Sequence, residues 1–124
     1  MEQSGNILVE DDSGTNLFLL QRLLEDEGYS VIITDDPEEG LAIVDKQPDV
    51  KLVLLDIMMP RIDGFEFMNR LSSRFDLSEL PVIMVTAKDD YDSQEKALNK
   101  GAVGYVTKPV DIDKIMGIIR EHIT

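Results

Sequence analysis

Five polar residues stand where apolar runs give way to turns: Asp11 and Asp12, Asp56, Thr86 and Lys108. Asp56 closes the run Leu52 to Leu55 and is followed by Pro60 and a turn ending in Gly64. A carboxylate at the tip of a buried strand is held rigidly yet reaches solvent, as a nucleophile or metal ligand must. Alone, it serves equally well as a helix cap or turn residue. Three carboxylates brought close together cannot all stay ionised without a counter-charge. An all-oxygen cluster with open positions suits Mg²⁺, which takes few carboxylates, some water and a phosphate. The Lys108 ammonium suits a phosphoryl group, or Asp56 when none is present. The Thr86 hydroxyl can donate to the same oxygens. Metal, ammonium and hydroxyl around one carboxylate describe phosphoryl transfer onto Asp56 through an acyl phosphate. The plainer alternatives are Asp12 or Ser13 capping a helix, Lys108 on the surface and Thr86 ending a strand. Each is reasonable singly; joint placement favours the chemistry.

That placement depends on the elements. Residues 7–9 read as a first strand, and 15–27 as a helix with Phe18, Leu19, Leu23 and Leu24 inward, stopped by Gly28. Residues 31–33 form a second strand, and Asp36-Pro37 opens a helix over 38–45. A third strand spans 51–55 and a third helix 65–72. A fourth strand, 81–85, precedes a polar helix from about 90 to 100 that ends at Gly101. The fifth strand is 103–107, and the last helix, 111–122, points Ile112, Ile115, Met116 and Ile119 inward. Five βα units imply a doubly wound five-stranded parallel sheet with helices on both faces. Right-handed crossovers favour the order 2-1-3-4-5. Ligands then bind beyond the carboxyl ends of the strands, where the order reverses. Asp11, Asp12 and Asp56 meet there, with Thr86 and Lys108 on the next two strands.

Composition limits the partners. The chain of 124 residues suits one domain, and its 43% apolar content can fill a core. A formal charge of -13 repels phosphate backbones and anionic lipid, so neither nucleic acid nor membrane binding is expected of this chain. No apolar run reaches spanning length, and the amino terminus has no signal-peptide pattern. The absence of cysteine excludes thiol catalysis and thiolate zinc sites and fits a reducing cytoplasm. His122, the only histidine, sits in a last helical turn with no catalytic partner and reads as solvent-facing. The six methionines are expected to fill the core.

Several segments together resemble the receiver domain of two-component response regulators, similar to the chemotaxis regulators. They are Val9-Glu10-Asp11-Asp12-Ser13, Asp56-Ile57-Met58-Met59-Pro60 with Asp63-Gly64, Val85-Thr86-Ala87, Gly101-Ala102, and Tyr105-Val106-Thr107-Lys108-Pro109. The likeness runs from about Asn6 to Ile119 in the family's order, and residues 1–124 read as one such domain of flavodoxin-like fold. It implies that Asp56 accepts phosphate from a phosphohistidine on a sensor kinase or phosphotransfer protein. It also implies that Asp11, Asp12, Asp56 and the Met58 carbonyl hold Mg²⁺, and that Lys108 pairs with the phosphoryl group. Thr86 would move toward that group and Tyr105 would rotate inward, reshaping the face of the fourth helix, fifth strand and fifth helix. A homodimer through that face is an option, and the Lys108-Pro109 bond is expected to be cis. The chain would be a switch that at most catalyses its own phosphorylation and dephosphorylation.

Glu10 departs from the pattern, standing where the family carries an apolar residue. The metal pair is therefore Asp11/Asp12, which the spacing favours, or Glu10/Asp11. In the first register Glu10 takes a buried position, costly unless it bends outward or joins the site. Three other functions compete. An aspartate-nucleophile phosphatase resembles this site but needs a second aspartate two residues after the nucleophile, where Met58 stands. A flavin binder needs a phosphate loop after the first strand, and three acids stand there. A receiver-like interaction domain that no longer uses phosphorylation is separable only by assay.

Overall fold

A computed structural model describes residues 6–123; Thr124 and the first five residues, which hold most of the amino-terminal segment discussed above, lie outside the described part. Five strands, β1 (Asn6–Glu10), β2 (Ser30–Thr34), β3 (Val50–Leu55), β4 (Val82–Thr86) and β5 (Gly104–Thr107), alternate with five helices. These are α1 (Gly14–Asp26), α2 (Pro37–Lys46), α3 (Gly64–Ser72), α4 (Tyr91–Asn99) and α5 (Ile112–His122). The strands pair in parallel in the order β2-β1-β3-β4-β5, the doubly wound sheet expected from the sequence. β4 is buried at every residue and β3 at all but Lys51, which explains their unbroken apolar runs.

Side chains alternate along each strand, so the sheet divides the core in two. Leu8, Val53, Leu55 and Met84 pack toward Leu41 and Val44 of α2, Phe67, Met68 and Leu71 of α3, and Ala97 of α4. Ile7, Val9, Leu52, Leu54, Ile83 and Val85 face Leu17, Leu20 and Leu24 of α1 and Ile115, Met116 and Ile119 of α5. Each such side chain contributes about 1.5–3 kcal/mol by leaving water. The helices start where short polar side chains can accept from free backbone N–H groups. Ser13, not Asp12, caps α1; Asp36, Asp63, Asp90 and Asp111 cap the others. His122 is exposed, as expected.

One expected face is wrong. Phe18 and Leu19 are 59% and 50% exposed, Leu23 is half-buried, and Leu17, Leu20 and Leu24 carry the core contact. Four consecutive apolar residues, Leu17 to Leu20, fit two helical phases. The cap at Ser13 and the pull of the sheet select the phase through 17, 20 and 24. Of the methionines, 59, 68, 84 and 116 are buried, but Met58 is 56% exposed. Among the described residues no helix is long and apolar enough to cross a membrane.

Candidate functional site

The carboxyl ends of β1, β3, β4 and β5 bring the five polar residues to one rim. Side-chain oxygens of Asp11, Asp12 and Asp56 all lie within 4.8 Å of one another, with Asp11 and Asp56 buried and Asp12 exposed. Lys108, just past β5, reaches across β4 and donates from Nζ to Asp11 Oδ2 at 2.5 Å and to Asp56 Oδ2 at 3.0 Å. Three carboxylates face one ammonium, so the rim has room for further positive charge. All-oxygen donors, one of them open to solvent, fit a hard divalent cation such as Mg²⁺.

The local backbone holds this geometry. Asp56 N–H donates to the Glu10 carbonyl at 3.0 Å, tying the acceptor strand to the end of β1. Met58 N–H donates to Asp56 Oδ1 at 3.1 Å, and Ser13 N–H donates to Asp11 Oδ1 at 2.9 Å. Each main-chain donor fixes one carboxylate oxygen and leaves the other to Lys108. Gly64 N–H donates to the Ile57 carbonyl at 2.9 Å. A Cβ on Gly64 would stand 2.5 Å from the Asp56 carbonyl oxygen, so only glycine lets α3 start this close. Between them, Ile62 N–H donates to the Pro60 carbonyl at 2.7 Å across Arg61, whose φ is 66°. This is a γ-turn with a left-handed central residue, and the Arg61 side chain pairs with Asp36 at 2.9 Å.

Burial pushes the Asp11 carboxyl up, outweighing the Lys108 contact and the Ser13 amide, which pull it down. Burial would lower the Lys108 ammonium, but its bonds to Asp11 and Asp56 prevail and raise it. The partners thus lean opposite ways: Lys108 is held charged, while Asp11 is short of positive charge. The close, buried contact favours the ion pair.

Thr86 is fully buried, and its Oγ1 accepts from Lys88 N–H at 3.3 Å. Tyr105 is half-exposed, and its hydroxyl donates to the Lys88 carbonyl at 2.5 Å. Burial, and then the charges of Asp90, Asp89 and Asp56, raise that hydroxyl's pKa. The backbone of Lys88, through its N–H and its carbonyl, therefore links Thr86 to Tyr105, a connection that no sequence motif announces. The Lys108-Pro109 bond is cis.

Glu10 neither bends outward nor joins the acids. It is 1% exposed, on the Leu8 face of β1, and both carboxylate oxygens have no hydrogen-bond partner. Its carboxyl lies against Gly40 of α2, where a Cβ would come within 2.5 Å of it. Burial, and then the Asp36 charge, push its pKa well above the ordinary range. The clustered acids are those of the Asp11/Asp12 register.

Comparison with known proteins agrees with this geometry. The family model for the response regulator receiver domain matches residues 7–120. The chain is 37% identical over 114 residues to the protein PilH of Pseudomonas aeruginosa, covering 91% of this chain and 93% of PilH. It is 40% identical over 118 residues to the uncharacterized transcriptional regulatory protein YkoG of Bacillus subtilis, covering 95% of this chain and 50% of YkoG. It therefore spans nearly all of one relative and about half of another. Among solved structures, a CheY-like response regulator receiver domain protein from Methanospirillum hungatei superposes with a TM-score of 0.84 at 32% identity, covering 95% and 92% of the two chains. Matched over nearly its whole length, with its acids and lysine on one rim, the chain belongs to the receiver domains of two-component response regulators, which are signalling switches rather than classical enzymes.

Proposed function

We propose that residues 1–124 act as one phosphoacceptor switch, with Asp56 receiving a phosphoryl group from a phosphohistidine on a sensor kinase or phosphotransfer protein. The observation that carries this reading is the bridge of Lys108 to Asp11 and Asp56 beside the open carboxylate of Asp12. An Asp56 carboxylate oxygen attacks phosphorus, the P–N bond breaks, and its electron pair leaves with the donor imidazole, which takes a proton from water. The product is an acyl phosphate. Lys108 moves from the carboxylate to the new phosphoryl oxygens, keeping one positive charge beside the charge that develops. Asp11, Asp12, Asp56 and the Met58 carbonyl would hold Mg²⁺, which when bound neutralises phosphoryl oxygens. Met58 N–H keeps Asp56 oriented through its other oxygen.

The switch would run from Thr86, whose hydroxyl turns to the phosphoryl group, through the backbone of Lys88 to Tyr105 on the α4–β5–α5 face. Moving a two-state equilibrium from 1:99 to 99:1 needs about 5.5 kcal/mol. One or two charge-assisted hydrogen bonds supply part of that, so the active form is partly populated before phosphorylation. The partners are cytoplasmic, and neither nucleic acid nor membrane is contacted by this chain; a homodimer through the switched face is an output to test. Acetyl phosphate or beryllofluoride with Mg²⁺ should modify or bind the chain at Asp56, read by intact mass and metal titration. If Asp56→Asn removes no effect of either reagent, the chain is an interaction domain without phosphorylation.

A further inference from the structure

Among the described residues, Glu10 is the one buried acid that the proposed chemistry leaves unused. Its two oxygens are enclosed and unpartnered, whichever protonation state it holds, because neither a carboxylate nor a carboxylic acid finds a donor or acceptor there. The pocket that holds it is made by a glycine inside a helix, Gly40, flanked by Pro37, Leu41 and Val44 as the buried residues of α2. Glycine is a poor helix former, and here it supplies no side chain to the core. The comparable turns of α3 bury Phe65, Phe67, Met68 and Leu71. Beneath α2, Ile32 of the edge strand β2 is only partly covered. The unpartnered carboxyl thus falls where α2 meets the end of β1 and is relieved when α2 lifts and water reaches it, while Gly40 gives α2 no side chain there to hold it down.

We infer that the Glu10–Gly40 contact makes α2 a yielding helix, which separates locally from the sheet before the rest of the fold opens. Local opening of this kind is set by the free energy of the contacts that close it, independently of global unfolding. Its place gives it a consequence. Asp11 N–H donates to the Thr34 carbonyl, and the Thr34 hydroxyl donates to Glu39 of α2, so an opening of α2 breaks a side-chain bond to the strand end beside the acid cluster. The device does not depend on phosphoryl transfer, and its test uses no phosphoryl donor, so the two readings stand or fall separately.

The test is native-state amide exchange on the full chain, read residue by residue in α2, α3 and α5. In the unaltered protein, α2 amides should exchange at least tenfold faster than those of α3, through openings that leave α3 and α5 closed. Glu10→Val should slow exchange at least tenfold in α2, and in α3 and α5 by no more than the about fivefold that the accompanying rise in global stability carries. Gly40→Ala supplies the sharper outcome. With Glu10 present, the added methyl competes for the carboxyl's space and speeds exchange in α2. Combined with Glu10→Val, the same methyl fills the vacated pocket and slows it. A uniform change across all three helices, no change, or the same sign for Gly40→Ala in both backgrounds would overturn the inference.

Discussion

Glu10 and Asp11 are adjacent acids at the end of one strand, and they meet opposite fates. Asp11 turns to the rim, where Lys108 and the Ser13 amide satisfy it. Glu10 turns beneath α2 and touches nothing that can share its charge or proton. Burial is nearly equal for the two, 1% exposed in each case, so burial does not separate a functional carboxylate from a strained one. Partners do. A buried acid with a cation and an amide is prepared for chemistry; one without them weakens the contact that encloses it.

The largest test of this contrast removes the shared cation. Lys108→Met leaves Asp11 and Asp56 buried without their ammonium, and should lower stability by about 3 kcal/mol. Saturating Mg²⁺ should restore part of the loss in urea unfolding, because a cation returns to the cluster. Next, Asp11→Asn should weaken Mg²⁺ binding at least tenfold, or about 1.4 kcal/mol, while Glu10→Gln leaves it within about twofold. Equal losses in that titration would put Glu10 back among the ligands. A smaller effect of opposite sign is expected at Glu10. Glu10→Val removes an orphaned polar group and should raise stability by about 1 kcal/mol in chemical denaturation.

The smallest effect is a slope with pH. Glu10 is raised in the folded state above its ordinary 4.5, so its protonated form is the one folding favours. Its contribution is fully present below that ordinary value and is lost as pH rises through the folded value. The advantage of Glu10→Gln over the unaltered protein should therefore grow as pH climbs from about 4.5. Asp11, also raised, adds a slope of the same sign. Lys108 acts at the other end: raised above 10.5, it stabilises fully below that value and is lost as pH passes its folded one. Parallel curves for Glu10→Gln and the unaltered protein would show that Glu10 titrates alike in both states.

Much of this is legible in the residues themselves. Apolar runs, caps such as Asp36-Pro37 and the stop at Gly28 give the elements, and alternation of strand and helix gives the sheet order. That order brings Asp11, Asp12, Asp56 and Lys108 together without further information. Less legible is what depends on packing between elements. Leu17 to Leu20 offers two faces, and only contact with the sheet chooses between them. Glu10 shows in the sequence as an acid in an apolar place, but its enclosure depends on a glycine 30 positions away that reads as ordinary helix. The link through the Lys88 backbone between Thr86 and Tyr105 is invisible because a backbone link carries no residue signature. Arg61 likewise adopts a left-handed turn that residue type alone would assign to glycine.

The reach of Lys108 also bears on how the molecule comes into being. Its contact with Asp11 joins residues 97 apart in the chain, the first strand to the last. During synthesis the acids at the ends of β1 and β3 are made before β5, and the ammonium that bridges them follows only at residue 108. The ammonium that settles them arrives only with the final strand. A chain cut short of Lys108 therefore lacks the cation of its rim, and Asp56 gains its partner only once β5 has joined the sheet.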